Sequence, residues 1–188
     1  MSTQLHGSQY IIVIPKGKVN KNGRKGRMRL SVLVVFLSLA WFCIYVWVKL
    51  PRKLPLAANF LLFMAIEAVL TNKLTIIGFN LRLFRINTWS IPHFLSMILH
   101  NDFTITFVLL TFANIYLHTN KAGVRWAISV YTFGMQWFLG AALRRNHVLI
   151  DHGWGTTRES IMILSVMTYT LLMGKLFQRM ALREGWLR

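Results

Sequence analysis

Acidic side chains are scarce: five Asp and Glu stand against 22 Lys and Arg, a formal net charge of +17 on 188 residues. Charged residues of both signs make up 14% of the chain, where a soluble globular domain carries about 25%. So few charges cannot cover a water-facing surface, which excludes an ordinary soluble enzyme. Apolar residues are not scarce, at 55%, and this excludes disorder for the body of the chain. The single cysteine, Cys43, excludes an intramolecular disulfide framework and a cysteine-based metal site. No GxSxG, P-loop or HExxH pattern occurs, so no arrangement for nucleophilic catalysis, metal or cofactor binding is visible. The reading is a protein without enzymatic function.

Long apolar runs remain. A helix crosses the hydrocarbon core with about 20 mostly apolar residues, and five segments approach this: 30–48, 54–72, 91–117, 124–143 and 157–176. The runs are continuous and do not alternate with polar residues, so they predict helices and not barrel strands. The fold class expected is an all-α polytopic transmembrane helical bundle with four or five spans. In the four-span version the second segment only dips into the membrane. Residues 1–29 form a flexible basic N-terminus, 30–177 the membrane domain and 178–188 a basic tail. Between the second and third spans, Arg82 and Arg85 lie among Ile, Leu and Phe, which predicts a short interfacial helix whose arginines reach lipid headgroups. Ser90 before Pro92 predicts an N-cap for the third span. Thr156 and Glu159 have the spacing of a capping box that opens the fifth. The first span is longer than a signal-peptide core and lacks a small-residue cleavage site, so it reads as an uncleaved anchor.

Seven basic residues from Lys16 to Arg29 precede the first span, which predicts a cytoplasmic N-terminus in the plasma membrane. With five spans, thirteen Lys and Arg fall on that side and nine on the other. The four-span version gives the same division, so charge leaves the side of the C-terminus open. The basic segment has no aromatic residue between Lys16 and Arg29. It reads as a topology determinant bound to anionic lipid, with no nucleic acid as partner.

On a helical wheel of the third span at 100° per residue, His93, Ser96, His100, Thr104, Thr111, Asn114 and His118 share a wedge of about 80°. Asp102 lies opposite. A helix polar on two sides belongs at the centre of the bundle, because donors facing lipid would go unpaired. Arg125, Ser129, Thr132, Gln136 and Gly140 make a second stripe on the fourth span. Facing the two stripes would satisfy both by interhelical hydrogen bonds, with Gly140 permitting close approach. The first span, with little polar relief, is expected to face lipid.

Two readings of these polar residues stay open. One is packing by interhelical hydrogen bonds; the other is a hydrated path with His93, His100 and His118 relaying protons. Glu67 and Asp102, each about ten residues from the loop joining their spans, are expected at similar depth. There they share a proton or hold a cation, or else each is neutral or pairs with a cation such as Lys73, Arg125 or a histidine as a folding device. The segment 146–158 holds His147, Asp151 and His152 without metal-site spacing. It reads as an exposed loop, or as an anion site using Arg158 and the amides from Gly153 onward.

The order of elements from about Phe60 to Phe177 also carries a resemblance. An acid-bearing span ends in Thr71-Asn72-Lys73. Asn80-Leu81-Arg82-Leu83-Phe84-Arg85 follows, and then a His- and Asp-bearing helix from Pro92 to Asp102. This resembles a family of short, uncharacterised multi-pass membrane proteins of spore-forming Gram-positive bacteria. The resemblance implies membrane location and no particular activity. The function expected is an accessory or structural component of a membrane assembly, with a membrane-protein partner or a second copy of the chain. The alternative is a small proton or cation channel or transporter subunit.

Overall fold

The computed structural model describes residues 21–50, 54–81, 83–86, 91–151 and 153–184. Six α-helices are joined by π-helical stretches and one short ribbon. Helix α1 runs Lys21–Lys49 and α2 Leu56–Lys73, and α2 continues as a π-helix over Leu74–Asn80. Strand β1 is Phe84–Ile86. The third span is one unbroken helical rod made of α3 (Ile91–Ile98), a π-helical stretch (Leu99–Ile105) and α4 (Thr106–His118). Helix α5 is Ala122–Arg145, β2 is Leu149–Asp151 and α6 is Thr156–Arg183.

Four of these rods are long and apolar enough to cross a membrane: Leu30–Lys49, Leu56–Gly78, Ile91–His118 and Thr156–Arg183. The third is half buried inside the protein, against 17–28% for the others. It packs on α1, α2, α5 and α6, the central position its polar residues require. The expected fourth span, α5, is not among the four, although its 24 residues reach about 36 Å at 1.5 Å per residue. The segment short of apolar character is thus α5. The second, expected to dip in the four-span version, forms a full-length rod.

The inner face of α2 repeats every four residues as Ala58, Leu62, Ile66 and Leu70, each at most 1% exposed. It meets α6, whose inward residues include Ile163, Val166, Met167 and Thr170. Lipid tails are as apolar as leucine, so these faces are held by close packing and not by hydrophobic transfer. Helix α1 turns Phe36, Ala40 and Cys43 inward and leaves Val34, Leu37, Trp41 and Val48 exposed, as expected of a lipid-facing helix. Phe36 meets the His100 ring edge-on at 5.6 Å and Trp47 meets Phe107 at 5.5 Å.

β1 pairs antiparallel with β2, Arg85 opposite Ile150. β1 precedes α3 and β2 follows α5, so α5 retraces the third span and returns the chain to the end where that span began. This ribbon end also carries the C-terminus of α2 and the start of α6. The far end carries the start of α2, the 119–121 turn and the end of α6. The chain therefore makes five passes along the bundle, and α1 begins and α6 finishes at opposite ends.

Several expectations change. The interfacial helix between the second and third spans is replaced by the π-helical extension of α2 and by strand β1, whose backbone groups pair with β2. The basic N-terminus is already helical from Lys21, and helix α6 takes in residues 178–183 of the expected tail. The capping box does not form: Gly155 caps α6 with no side-chain hydrogen bond, because Glu159 is engaged elsewhere. Arg82, Ser90 and His152 lie outside the described residues, as do residues 1–20.

Candidate functional site

At the ribbon end three helices bring charged groups together under the membrane domain. Lys73 comes from α2, Arg144 from the last turn of α5 and Glu159 from the first turn of α6. A carboxylate at a helix start and a guanidinium at a helix end both complement the helix dipole. Lys73 Nζ stands 3.8 Å from Glu159 Oε1, and Arg144 Nη1 stands 3.6 Å from Glu159 Oε2. The Trp154 indole N–H donates to Glu159 Oε2. Gly140 lies against this carboxylate, where a Cβ would make van der Waals contact at 3.4 Å from Oε1.

The chain between α5 and α6 is built to hold that arrangement. His147, in the left-handed region at φ 55°, ends α5. Its N–H donates to the Arg144 carbonyl and that of Val148 to the Leu143 carbonyl, both at 3.0 Å. This pairing is a Schellman motif, and it turns Val148 into the core. Strand β2 follows, and Trp154 then packs with Ile77 against Leu74, Leu83, Leu149 and Met162. The expected exposed loop is therefore a folded, part-buried lid on the bundle.

A cavity of about 40 Å³ lies inside this cluster, lined by Lys73, His100, Asn101, Arg144, Trp154 and Glu159 among others. His100 and Asn101 reach it from the π-helical stretch of the third span. The His100 ring is buried, and its Nδ1 has no hydrogen-bond partner among the described residues. From Asn101 the polar chain runs deeper. Its side-chain amide donates to Asp102 Oδ1 at 2.8 Å, and its backbone carbonyl lies 3.3 Å from the Thr106 oxygen. The Thr106 hydroxyl also lies 2.6 Å from Glu67 Oε1, to which it donates. Glu67 and Asp102 are thus joined through Thr106 and Asn101, in keeping with their expected common depth.

Eight residues further along both helices, Asn114 donates to Asn59 Oδ1 at 2.8 Å. Between this pair and Glu67–Thr106 lie Leu62, Ile66, Leu109, Leu110 and Ala113, all at most 1% exposed. Eight residues span about 12 Å, so an apolar layer separates the two polar groups.

Among the described residues no hydrogen bond joins the two stripes, although Thr111 and Thr132 line one cavity and His100 and Gly140 another. Within the third span, Ser96 bonds to the Pro92 carbonyl, Thr104 to Leu99 and Asn114 to Leu110. On α5, Ser129 bonds to the Arg125 carbonyl and Gln136 to Thr132, while Thr132 Oγ1 has no partner among the described residues. Gly140 lies beside Glu159 and also beside His100 and Asn101 of the third span at the ribbon-end cavity. The π-helical stretch alters the third span's own stripe. Its wider turn breaks the 100° phase, so Asn101 and Thr106 become buried with His93, His100 and Thr104. Past it, Thr111 is only half-buried and His118 is exposed.

The cations proposed as partners for the deep acids are used elsewhere. Lys73 pairs with Glu159. Arg125 donates to the Thr119 carbonyl at 2.8 Å and lies 5.3 Å from the Tyr116 ring centre. Arg158 is exposed and donates to the Gly153 carbonyl at 3.0 Å. The side chains of Arg85 and Asp151 lie outside the described residues. Among the described residues no three His, Cys, Asp or Glu are placed to hold a metal ion. Comparison with protein-family models, curated proteins and solved structures finds no match for this chain.

Proposed function

We propose that this membrane protein is a non-enzymatic accessory or structural component of a plasma-membrane assembly, resembling the short multi-pass proteins of spore-forming bacteria. Its ribbon end and N-terminus face the cytoplasm. The observation that carries the reading is the apolar layer of Leu62, Ile66, Leu109, Leu110 and Ala113, which interrupts the polar network midway. An apolar constriction that stays dry closes a conducting path. The intramembrane hydrogen bonds instead tie α2 to α4, and Ser96, Thr104, Ser129 and Gln136 each to its own helix, as packing does.

The orientation rests on charge. In five passes the ribbon end collects the seven basic residues before the first span with Lys73, Arg82, Arg85, Arg144, Arg145 and Arg158. A basic end of this kind faces the cytoplasm and its anionic lipid. Partners are then the bilayer itself and either another membrane protein or a second copy of the chain.

A second reading, a proton or cation path, is favoured by one observation: Glu67, Thr106, Asn101 and Asp102 form a continuous chain that reaches the ribbon-end cavity. The test is reconstitution into vesicles loaded with a pH-sensitive dye. The accessory reading expects no flux above empty vesicles from the parent, Glu67→Gln or Asp102→Asn. Flux in the parent that either substitution abolishes would replace it with transport. The positive arm is native electrophoresis of host membranes, where deletion of the chain shrinks or dissolves one complex.

A further inference from the structure

The cavity at the ribbon end is not absorbed by a packing role. We propose that it binds a small oxyanion of the phosphate class, held by Lys73, Arg144 and His100 beside Glu159.

Charge is the first argument. Two cationic side chains and one carboxylate line the cavity, an excess of one positive charge. The Lys73 and Arg144 side chains are only 18% and 20% exposed. A buried charge without a counter-charge is costly, and proteins pair it. Glu159 balances one cation. A single bound anion balances the other.

Unspent donors are the second argument. At 3.8 and 3.6 Å the two ion pairs are longer than direct hydrogen bonds, which fall near 2.7–3.2 Å. Lys offers three N–H donors and Arg five, and a gap of this length is where a bridging group sits. Trp154 already donates to Glu159 Oε2, so the carboxylate stays in place while the cations turn toward a ligand.

His100 supplies the third. Its ring is 92% buried by an exposure of 8%, its edge is fixed against Phe36, and its Nδ1 is left without a partner. With the proton on Nδ1 it donates to an anion oxygen. A cation would meet two like charges here, and a neutral ligand or water would leave the excess charge standing. The size agrees: about 40 Å³ holds roughly three water-sized groups, enough for the outer oxygens of one phosphate group. The cavity lies at the ribbon end beside buried Trp154 and Ile77, the end that the proposed orientation sets against the headgroup layer. The anion is therefore either a lipid phosphate or soluble phosphate, and the test separates them.

The full chain in neutral detergent is melted in sodium phosphate and in sodium chloride at matched ionic strength. A second pair of melts uses short-chain phosphatidic acid against short-chain phosphatidylcholine. The expected result is a saturable rise in melting midpoint with phosphate or with phosphatidic acid over its control. A rise with phosphate identifies a soluble anion, and a rise with phosphatidic acid alone identifies a lipid headgroup. Lys73→Gln and Arg144→Gln each weaken the apparent affinity at least ten-fold, whereas Glu159→Gln, which leaves two cations facing the ligand, strengthens it several-fold. No rise over either control in the parent overturns the proposal, and that arm needs no variant to fold. A rise that survives both cation substitutions, or that Glu159→Gln weakens, overturns it as well.

Discussion

Thr106 donates its hydroxyl to Oε1 of Glu67 at 2.6 Å, across the packing face of α2 and α4. Thr106 is fully buried, and the bond joins two helices through residues 39 apart in sequence. Removing the donor strands an acceptor that lipid cannot satisfy. Thr106→Val keeps the shape and is expected to destabilise the bundle by about 1 kcal/mol, above the ~0.6 kcal/mol average for membrane hydrogen bonds. Reversible unfolding in mixed detergent micelles measures this. In the double variant with Glu67→Leu the losses should add to less than their sum, because neither partner is then stranded.

Gly155 opens α6 at φ 55° and ψ 153°, a region open almost only to glycine. This geometry sets the first turn so that Glu159 meets Lys73, Arg144 and Trp154. Gly155→Ala should cost about 1–3 kcal/mol by the strain it imposes. Gly134, mid-helix in α5 with open space where a Cβ would go, is the control. Gly134→Ala should leave the melting midpoint unchanged or slightly higher. Equal effects from the two would remove the strain argument.

At Gly174 the constraint is space and not backbone angle. A Cβ there would stand 2.9 Å from Leu117 Cδ1, 3.6 Å from Leu62 Cδ2 and 3.8 Å from Ala113 Cβ. The glycine is where α6 crosses α2 and α4, and small residues set such approaches in membranes. Gly174→Ala is expected to cost little, since the end of Leu117 can turn away. Gly174→Val adds two more methyl groups against Leu62 and Ala113 and should cost about 1–3 kcal/mol. Thermal unfolding in detergent should rank them parent, Ala, Val.

The membrane class, the central third span and the lipid-facing first span were legible because they depend on composition and on how many apolar residues run together. The common depth of Glu67 and Asp102 was legible from rise per residue. What failed depends on phase and on distant pairing. A wheel drawn at 100° per residue holds for α3 and fails after the π-helical stretch at 99–105, which local sequence does not announce. Glu159 read as a local cap, because Thr156 lies three residues before it. Its actual partners, Lys73 and Arg144, come from two other helices and become visible only once those helices share an end. Asn59 was hidden in an apolar run, although its eight-residue spacing to Glu67 repeats that of Thr106 and Asn114, the partners it and Glu67 find across the interface.

Helix α5 decides where the chain finishes. Averaged over its length it is too polar to count among the apolar rods, yet its polar and apolar residues lie on different faces. Thr132 and Gln136 are buried against neighbouring helices, while Trp126, Val130 and Phe138 are 64–73% exposed. A helix that hides its polar groups and shows tryptophan, valine and phenylalanine outward can lie in lipid, and the β1–β2 pairing returns its end to the level where the third span began. With the proposed orientation five crossings are expected, α1 beginning and α6 finishing on opposite sides. Alkaline phosphatase fused after residue 188 should be active outside the cytoplasm, and a fluorescent protein at the same place should stay dark. A cysteine introduced at Asn120, in the far-end turn, should react with an impermeant thiol reagent added to intact cells, and one at Asn146 should not, both in a Cys43→Ser background. A bright C-terminal fusion without phosphatase activity would mean four crossings, with α5 lying outside the bilayer and its exposed tryptophan and phenylalanine in water.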